Sequence, residues 1–128
     1  MSFTDYLEQK LLEHTFRNTS YTSPTTVYVG LLSAGPTDSS GGTELSGNGY
    51  ARQACAFDAY STNNKVANTS AETFTASGGD WSTVTHFGVY DASSSGNLLA
   101  YGAINPNVTV TDGNSFVIDA GKLVIEMD

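Results

Sequence analysis

Short apolar runs alternate with clusters of turn-forming residues along most of this chain, and this alternation is the strongest constraint on its fold. After about residue 25 the runs are rich in β-branched and aromatic residues, and Gly, Ser, Asn and Asp separate them at intervals of about 8–15 residues. Such spacing favours antiparallel strands over helices. We therefore predict a mainly β fold, a jelly-roll-like antiparallel β-sandwich of about eight strands with one N-terminal α-helix.

The helix is predicted over residues 3–17, where apolar side chains recur at intervals of three or four. They include Phe3, Leu7, Leu11 and Phe16. Ser2 or Thr4 can cap its start, because a hydroxyl oxygen accepts a hydrogen bond from a first-turn N–H group. We expect one domain over residues 1–128, with the helix and a linker in residues 1–20 and the sandwich in residues 24–128.

The strands are predicted from extended apolar patterns. They cover residues 26–32, 50–60, 72–75, 84–90, 97–103, 108–110, 115–118 and 122–126. The clearest hairpin joins segments 84–90 and 97–103 through a Ser-rich turn, and a second hairpin is predicted between segments 108–110 and 115–118. Residues 61–71 are polar and are predicted to be irregular.

The acidic charge balance limits the classes of partner. The chain has 5 Lys and Arg against 13 Asp and Glu, a formal net charge of −8. Nucleic-acid binding requires clustered cations, and an anionic membrane surface repels an acidic chain, so we expect neither partner. No apolar stretch reaches the roughly 20 residues that span a bilayer, and the acidic N-terminal segment does not resemble a signal peptide.

Residues with catalytic or metal-binding chemistry are few and dispersed. His14 and His86 show no metal-ligand spacing, and Cys55 is the single cysteine. Pairing of Cys55 with His86 as nucleophile and base is an alternative without local support. Turn aspartates such as Asp112 lack the several acidic neighbours of a calcium loop. We expect a non-enzymatic protein with no catalytic residue, no cofactor and no metal.

Trp81 is the candidate contact for a ligand. It is the one tryptophan of the chain and stands between a Gly-Gly-Asp turn and a predicted strand. A large aromatic face can stack on a sugar ring, so Trp81 is a candidate glycan contact. The alternative, which is favoured, is that Trp81 anchors the core or a sheet edge.

Five phrases of the sequence form a family pattern. They are SFTDYLE at residues 2–8, TVYVGLL at 26–32, GYAR at 49–52, WSTVTHFGVYD at 81–91 and GNLLAYG at 96–102. In this order the phrases resemble a family of small virion proteins of tailed bacteriophages and prophages, whose members are described as tail-fibre-like, minor structural or head-decoration proteins. The resemblance implies a non-enzymatic structural protein of the virion, made in the cytoplasm of the bacterial host.

The position of the protein in the particle is open to two hypotheses. A single compact domain without a predicted shaft favours a capsid decoration (cement) protein on the particle exterior, with the major capsid protein or other virion proteins as partners. The alternative is a tail or tail-fibre component that binds host glycans.

Self-association is expected from the two ends of the chain. The helix is amphipathic, and the strand at residues 122–126 has few charges to protect an exposed edge from pairing. We predict a homo-oligomer, a dimer or a trimer. The predicted interface residues are Leu7, Leu11, Phe16, Leu123 and Ile125.

Overall fold

The computed structural model describes residues 1–127. In these residues one helix and ten strands follow one another. They are β1 (Ser2–Phe3), α1 (Asp5–Phe16), β2 (Val27–Ala34), β3 (Thr43–Glu44), β4 (Gln53–Cys55), β5 (Lys65–Ala67), β6 (Glu72–Thr75), β7 (Val84–Tyr90), β8 (Leu98–Val108), β9 (Ser115–Ile118) and β10 (Val124–Glu126). The predicted mainly β class with one N-terminal helix is confirmed. Three short strands, β1, β3 and β5, are not predicted because they give no period-2 signal, and the predicted strand at 108–110 is absent as a separate element because β8 already extends to Val108.

All strand pairs in the described chain are antiparallel. The larger sheet has the order β1-β8-β7-β2-β3, and β4 also pairs with β2. The predicted hairpin of β7 and β8 is confirmed. The remaining strands form two ribbons, β5 with β10 and β6 with β9.

The core lies between the larger sheet and the β6–β9 ribbon. Val29 and Leu31 are two residues apart in β2 and therefore point to the same face. Both are fully buried and belong to one cluster with Phe74 of β6 and Ile118 of β9. The two layers give a sandwich-like architecture, and burial of these side chains is the main force that holds them together.

The predicted hairpin between residues 108–110 and 115–118 does not form. β9 pairs with β6 instead, and the ring centroids of Phe74 and Phe116 are 6.3 Å apart. The carbonyl oxygen of Val110 accepts a hydrogen bond from the Trp81 backbone N–H at 2.9 Å. Burial of aromatic side chains across distant strands thus prevails over the local turn signal.

Helix α1 lies on the surface of the sheet domain. Thr4 caps it: its hydroxyl oxygen accepts from the Leu7 N–H at 3.4 Å and donates to the Leu98 carbonyl at 2.6 Å. The bounds Asp5–Phe16 fall within the predicted residues 3–17. No residue between 5 and 16 is buried, so the helix is attached mainly through its N-terminal end.

Asn68 fixes the connection between β9 and β10. Its amide nitrogen donates to the carbonyl oxygens of Ser70 and Asp119 at 2.8 and 3.2 Å, and its amide oxygen accepts from the Leu123 N–H at 2.9 Å. The residue is buried. The region predicted to be irregular is therefore ordered around one side-chain amide and contains strand β5.

Candidate functional site

The most elaborate polar cluster of the described chain surrounds Arg52. Its guanidinium donates to both carboxylate oxygens of Glu44 at 2.8 Å and to the carbonyl oxygens of Ala92 and Ser95 at 2.8 Å each. The guanidinium carbon also lies 3.5 Å from the centroid of the Tyr90 ring. These hydrogen bonds connect the turn after β7 to Glu44 of β3. Because Arg52 binds the protein's own groups, the cluster supports a structural role.

Two tyrosines complete this cluster. The Tyr50 hydroxyl donates to Glu44 Oε1 at 2.7 Å and accepts from the Leu31 N–H at 2.9 Å. Burial raises the pKa of Tyr50, and the hydrogen bond to Glu44 adds to the shift. Burial raises the pKa of Tyr90 to about 12, and the nearby charge of Glu44 adds to the shift. At Gly30 a Cβ atom would lie 2.9 Å from both tyrosine side chains, so this position requires glycine.

The structure does not bring Cys55 and His86 together. Cys55 is paired with Val27 of β2 and His86 with Leu32 of the same strand, so about 16 Å of strand separates the two positions. Burial and the neighbouring Glu72 raise the pKa of the Cys55 thiol to about 12. The thiol is therefore protonated at neutral pH, and the alternative of a nucleophile–base pair is not formed.

The histidines have local hydrogen-bond partners. His14 Nδ1 accepts from the Tyr21 N–H at 3.2 Å, and His86 Nδ1 lies 2.8 Å from the Thr85 hydroxyl. Among residues 1–127, no three His, Cys, Asp or Glu side chains are grouped as a metal ion would require. The helix in this part of the chain is also too short and too polar to cross a membrane.

Trp81 is a core residue in the structure. It is 5% exposed, its indole N–H donates to the Asn48 carbonyl at 2.8 Å, and its ring meets Tyr50 edge-on with centroids 5.7 Å apart. A polar pocket of about 230 Å³ adjoins it. Since the ring is packed inside the domain, the candidate glycan contact is corrected to a core anchor.

The last turn of α1 and its C-cap carry a surface, here called the helix patch, in which the apolar Leu12 and Phe16 are flanked by the charged Glu13 and Arg17. Leu12 is 58% exposed and Phe16 is 79% exposed. The other two predicted interface residues of the helix, Leu7 and Leu11, are half-buried. Phe16 is thus the most accessible of the predicted interface residues.

A second apolar surface, the β10 groove, lies where β1, β5 and β10 approach one another. Its volume is about 340 Å³. The groove is lined by Phe3, Tyr60, Asn64, Lys65, Val66, Ile125, Glu126 and Met127. Ile125 belongs to the groove wall, as an interface would require. Leu123, by contrast, is buried in the core, so its assignment to an interface is corrected. Sequence reasoning missed the groove because it joins three distant segments.

The sequence matches a known protein family over nearly its whole length. Residues 2–126 match the family described as podophage GP4 fiber I protein gp80. The chain belongs to this family. As a member of the podophage fiber I family it is a structural protein of the phage virion, which confirms the expected class of protein and its location in the virion. No curated protein matches the chain.

Proposed function

We propose that this protein is a component of the tail fibre of a podophage particle and that its role is structural rather than enzymatic. The observation that carries the proposal is the family match over residues 2–126, because the family is described as a fibre protein. The fibre description favours the tail alternative over the capsid decoration protein that the compact domain suggested. The proposed partners are accordingly other tail proteins in place of the major capsid protein.

The lack of a predicted shaft favours a capsid protein, but a fibre component needs no shaft of its own if separate surfaces join it to its neighbours. The described residues offer two separate apolar surfaces, the helix patch and the β10 groove. A small domain with two such surfaces can be built into a larger appendage through contacts between domains, without a shaft of its own. Host-glycan binding is not part of the proposal, since Trp81 is buried.

The proposal is tested by locating the protein in intact particles. Gold-labelled antibody against the purified chain is expected to mark the tail in electron micrographs, and antibody absorbed with the purified chain serves as the control. Label distributed over the capsid faces would overturn the fibre assignment in favour of a decoration protein. If mass spectrometry of purified particles detected no peptide of this chain, a structural role in the virion would be excluded.

A further inference from the structure

A polar pocket of about 210 Å³, here called the α1 pocket, lies where the first turn of α1 meets two loops of the domain. Its wall is formed by Thr4 and Tyr6, by residues 37–41 and by residues 96–98. None of these residues lines the β10 groove or the pocket that adjoins Trp81. The α1 pocket is therefore a separate site, in which Trp81 takes no part.

Hydrogen bonds hold the three segments of the α1 pocket together. The Asp5 N–H donates to the Asp38 carbonyl oxygen at 3.0 Å, which joins the start of α1 to the first loop. The Thr4 hydroxyl donates to the Leu98 carbonyl oxygen at 2.6 Å, which joins it to the second loop. The pocket is thus formed before a ligand arrives, and binding does not require a loop to become ordered.

The side chains of the α1 pocket offer acceptors and hydroxyl groups. Asp38 Oδ1 accepts from the Tyr101 hydroxyl at 2.5 Å, whereas Oδ2 accepts from no group in residues 1–127. Asn97 Nδ2 donates to Asp91 Oδ2 at 2.8 Å, which orients the amide and leaves its oxygen as an acceptor. Three hydroxyl side chains, which both donate and accept, line the same pocket: Thr37, Ser39 and Ser40.

Tyr6 gives the α1 pocket one apolar wall. The residue is half-buried, and the Lys10 ammonium lies 5.6 Å from the centroid of its ring. The face of a tyrosine ring is apolar, so the C–H groups of a sugar ring can stack on it. Gly41 and Gly96 also line the pocket and have no side chain, so a ligand can approach the backbone of both loops.

The charge of the lining disfavours ionic ligands. The lining includes one carboxylate, that of Asp38, and no Lys or Arg. An anionic ligand would be repelled by this carboxylate and by the net charge of −8. A metal ion would require several grouped ligands, and no such group of His, Cys, Asp or Glu occurs in the part of the chain that the structure describes. The lining therefore suits a neutral ligand that is rich in hydroxyl groups.

From these observations we infer that the α1 pocket binds a neutral saccharide unit. The sugar hydroxyls donate to Asp38 and Asn97, and one face of the sugar ring stacks on Tyr6. A cavity of roughly 150 Å³ accepts benzene, so the pocket has room for one sugar residue rather than a longer chain. A ligand of this size is expected to bind with a dissociation constant on the order of 1–10 mM. The inference does not depend on whether the protein lies in the tail or on the capsid.

The first test is a titration of the isotope-labelled full chain, followed by nuclear magnetic resonance. The probes are glucose, galactose, mannose, rhamnose and N-acetylglucosamine, each up to about 50 mM, several times the expected dissociation constant. At least one of them is expected to shift the backbone amide resonances of residues 37–41 and 96–98 and to leave those of residues 122–126 unchanged. The inference is overturned if no neutral sugar shifts the pocket resonances, or if the anionic N-acetylneuraminic acid binds more tightly.

The methyl glycoside of the sugar that binds identifies the source of the ligand. Its anomeric oxygen is substituted, as in a residue of a glycan. Binding equal to that of the free sugar supports a residue within a glycan as the ligand. Binding of the free sugar alone supports a free monosaccharide in the same pocket.

The second test removes the apolar wall. Tyr6→Ala is expected to raise the dissociation constant about tenfold, whereas Tyr6→Phe keeps the ring and should bind within about twofold of the original chain. Tyr60→Ala changes an exposed tyrosine outside the α1 pocket and is the matched control. Unchanged binding by Tyr6→Ala, or an equal loss in Tyr60→Ala, would show that the sugar binds elsewhere and would overturn the inference.

The third test narrows the pocket without removing an interaction of the domain. A Cβ atom at Gly41 would meet no atom within 4 Å, so the fold accommodates a side chain there. Gly41→Phe is expected to weaken binding about tenfold or more and to leave the thermal midpoint unchanged. Binding of the sugar by folded Gly41→Phe with the original affinity would contradict the assignment of the site.

Discussion

Removal of Arg52 should disturb the fold, because this residue donates hydrogen bonds to Glu44 and to two carbonyl groups of the turn after β7. Arg52→Met leaves the carboxylate without a cation, and we expect the free energy of unfolding to fall by about 2–4 kcal/mol, as measured by urea denaturation. A second change, Glu44→Gln, removes the unpaired charge and should restore part of the loss. A loss below about 0.5 kcal/mol, the range of ordinary surface substitutions, would contradict this role.

Tyr90 gives the domain a predictable response to alkaline pH. Its pKa is raised to about 12, whereas an unfolded tyrosine ionises near 10. Between these values the unfolded chain releases a proton that the folded chain keeps, so the free energy of unfolding falls as pH rises through this window. Below about pH 10 the contribution of Tyr90 to the free energy of unfolding is fully present.

Tyr90→Phe removes this ionisation and retains the ring beside Arg52. Urea denaturation at several pH values between about 8 and 11 should show a shallower loss of stability for the variant than for the original chain. Tyr28→Phe, at the residue opposite Tyr90 on β2, removes a tyrosine hydroxyl outside the Arg52 cluster and is the matched control. Identical slopes for Tyr90→Phe and the original chain would contradict the assignment.

The attachment of α1 depends on a single side chain, that of Thr4. Thr4→Val keeps the shape of the buried Thr4 side chain but removes the helix cap and the hydrogen bond to the Leu98 carbonyl. We expect a loss of about 1–2 kcal/mol in the stability of the helix and its attachment. Amide hydrogen exchange should quicken in residues 5–16 and stay unchanged in β2 and β7. Thr4→Ser, which retains the hydroxyl, should exchange like the original chain.

Elements that depend on interactions between sequence neighbours can be predicted from the sequence, whereas those that depend on contacts between distant residues cannot. The helix and the β7–β8 hairpin are determined by local periodicity and a local turn, and both form as predicted. The pairing of β6 with β9 depends on contacts such as Phe74 with Phe116, about forty residues apart, which no local pattern records. Trp81 shows the same limit, because its sequence neighbours do not reveal that Tyr50 and Asn48 enclose it.

For the whole molecule, the net charge of −8 opposes contact between copies. At about 10 mM salt the screening length is roughly 30 Å, so whole domains repel one another, whereas at about 150 mM it is roughly 8 Å. Contact between copies through the exposed Leu12 and Phe16 of the helix patch would be mainly apolar and should be little affected by screening. Association measured by sedimentation should therefore increase over this range. A decrease would show that the contact charges, rather than apolar burial, dominate the interface.

The buried amide of Asn68 also has a consequence for production of the protein in eukaryotic secretory cells. Asn68-Thr69-Ser70 has the sequence of an N-glycosylation acceptor, as do Asn18-Thr19-Ser20 and Asn107-Val108-Thr109. Asn18 and Asn107 are exposed and would carry an oligosaccharide at the surface. An oligosaccharide on Asn68 would displace the hydrogen bonds to Ser70 and Asp119 and leave no room for the loop before β10. Folded secreted material should therefore be modified at Asn18 and Asn107 alone, and chains modified at Asn68 should be retained by the cell.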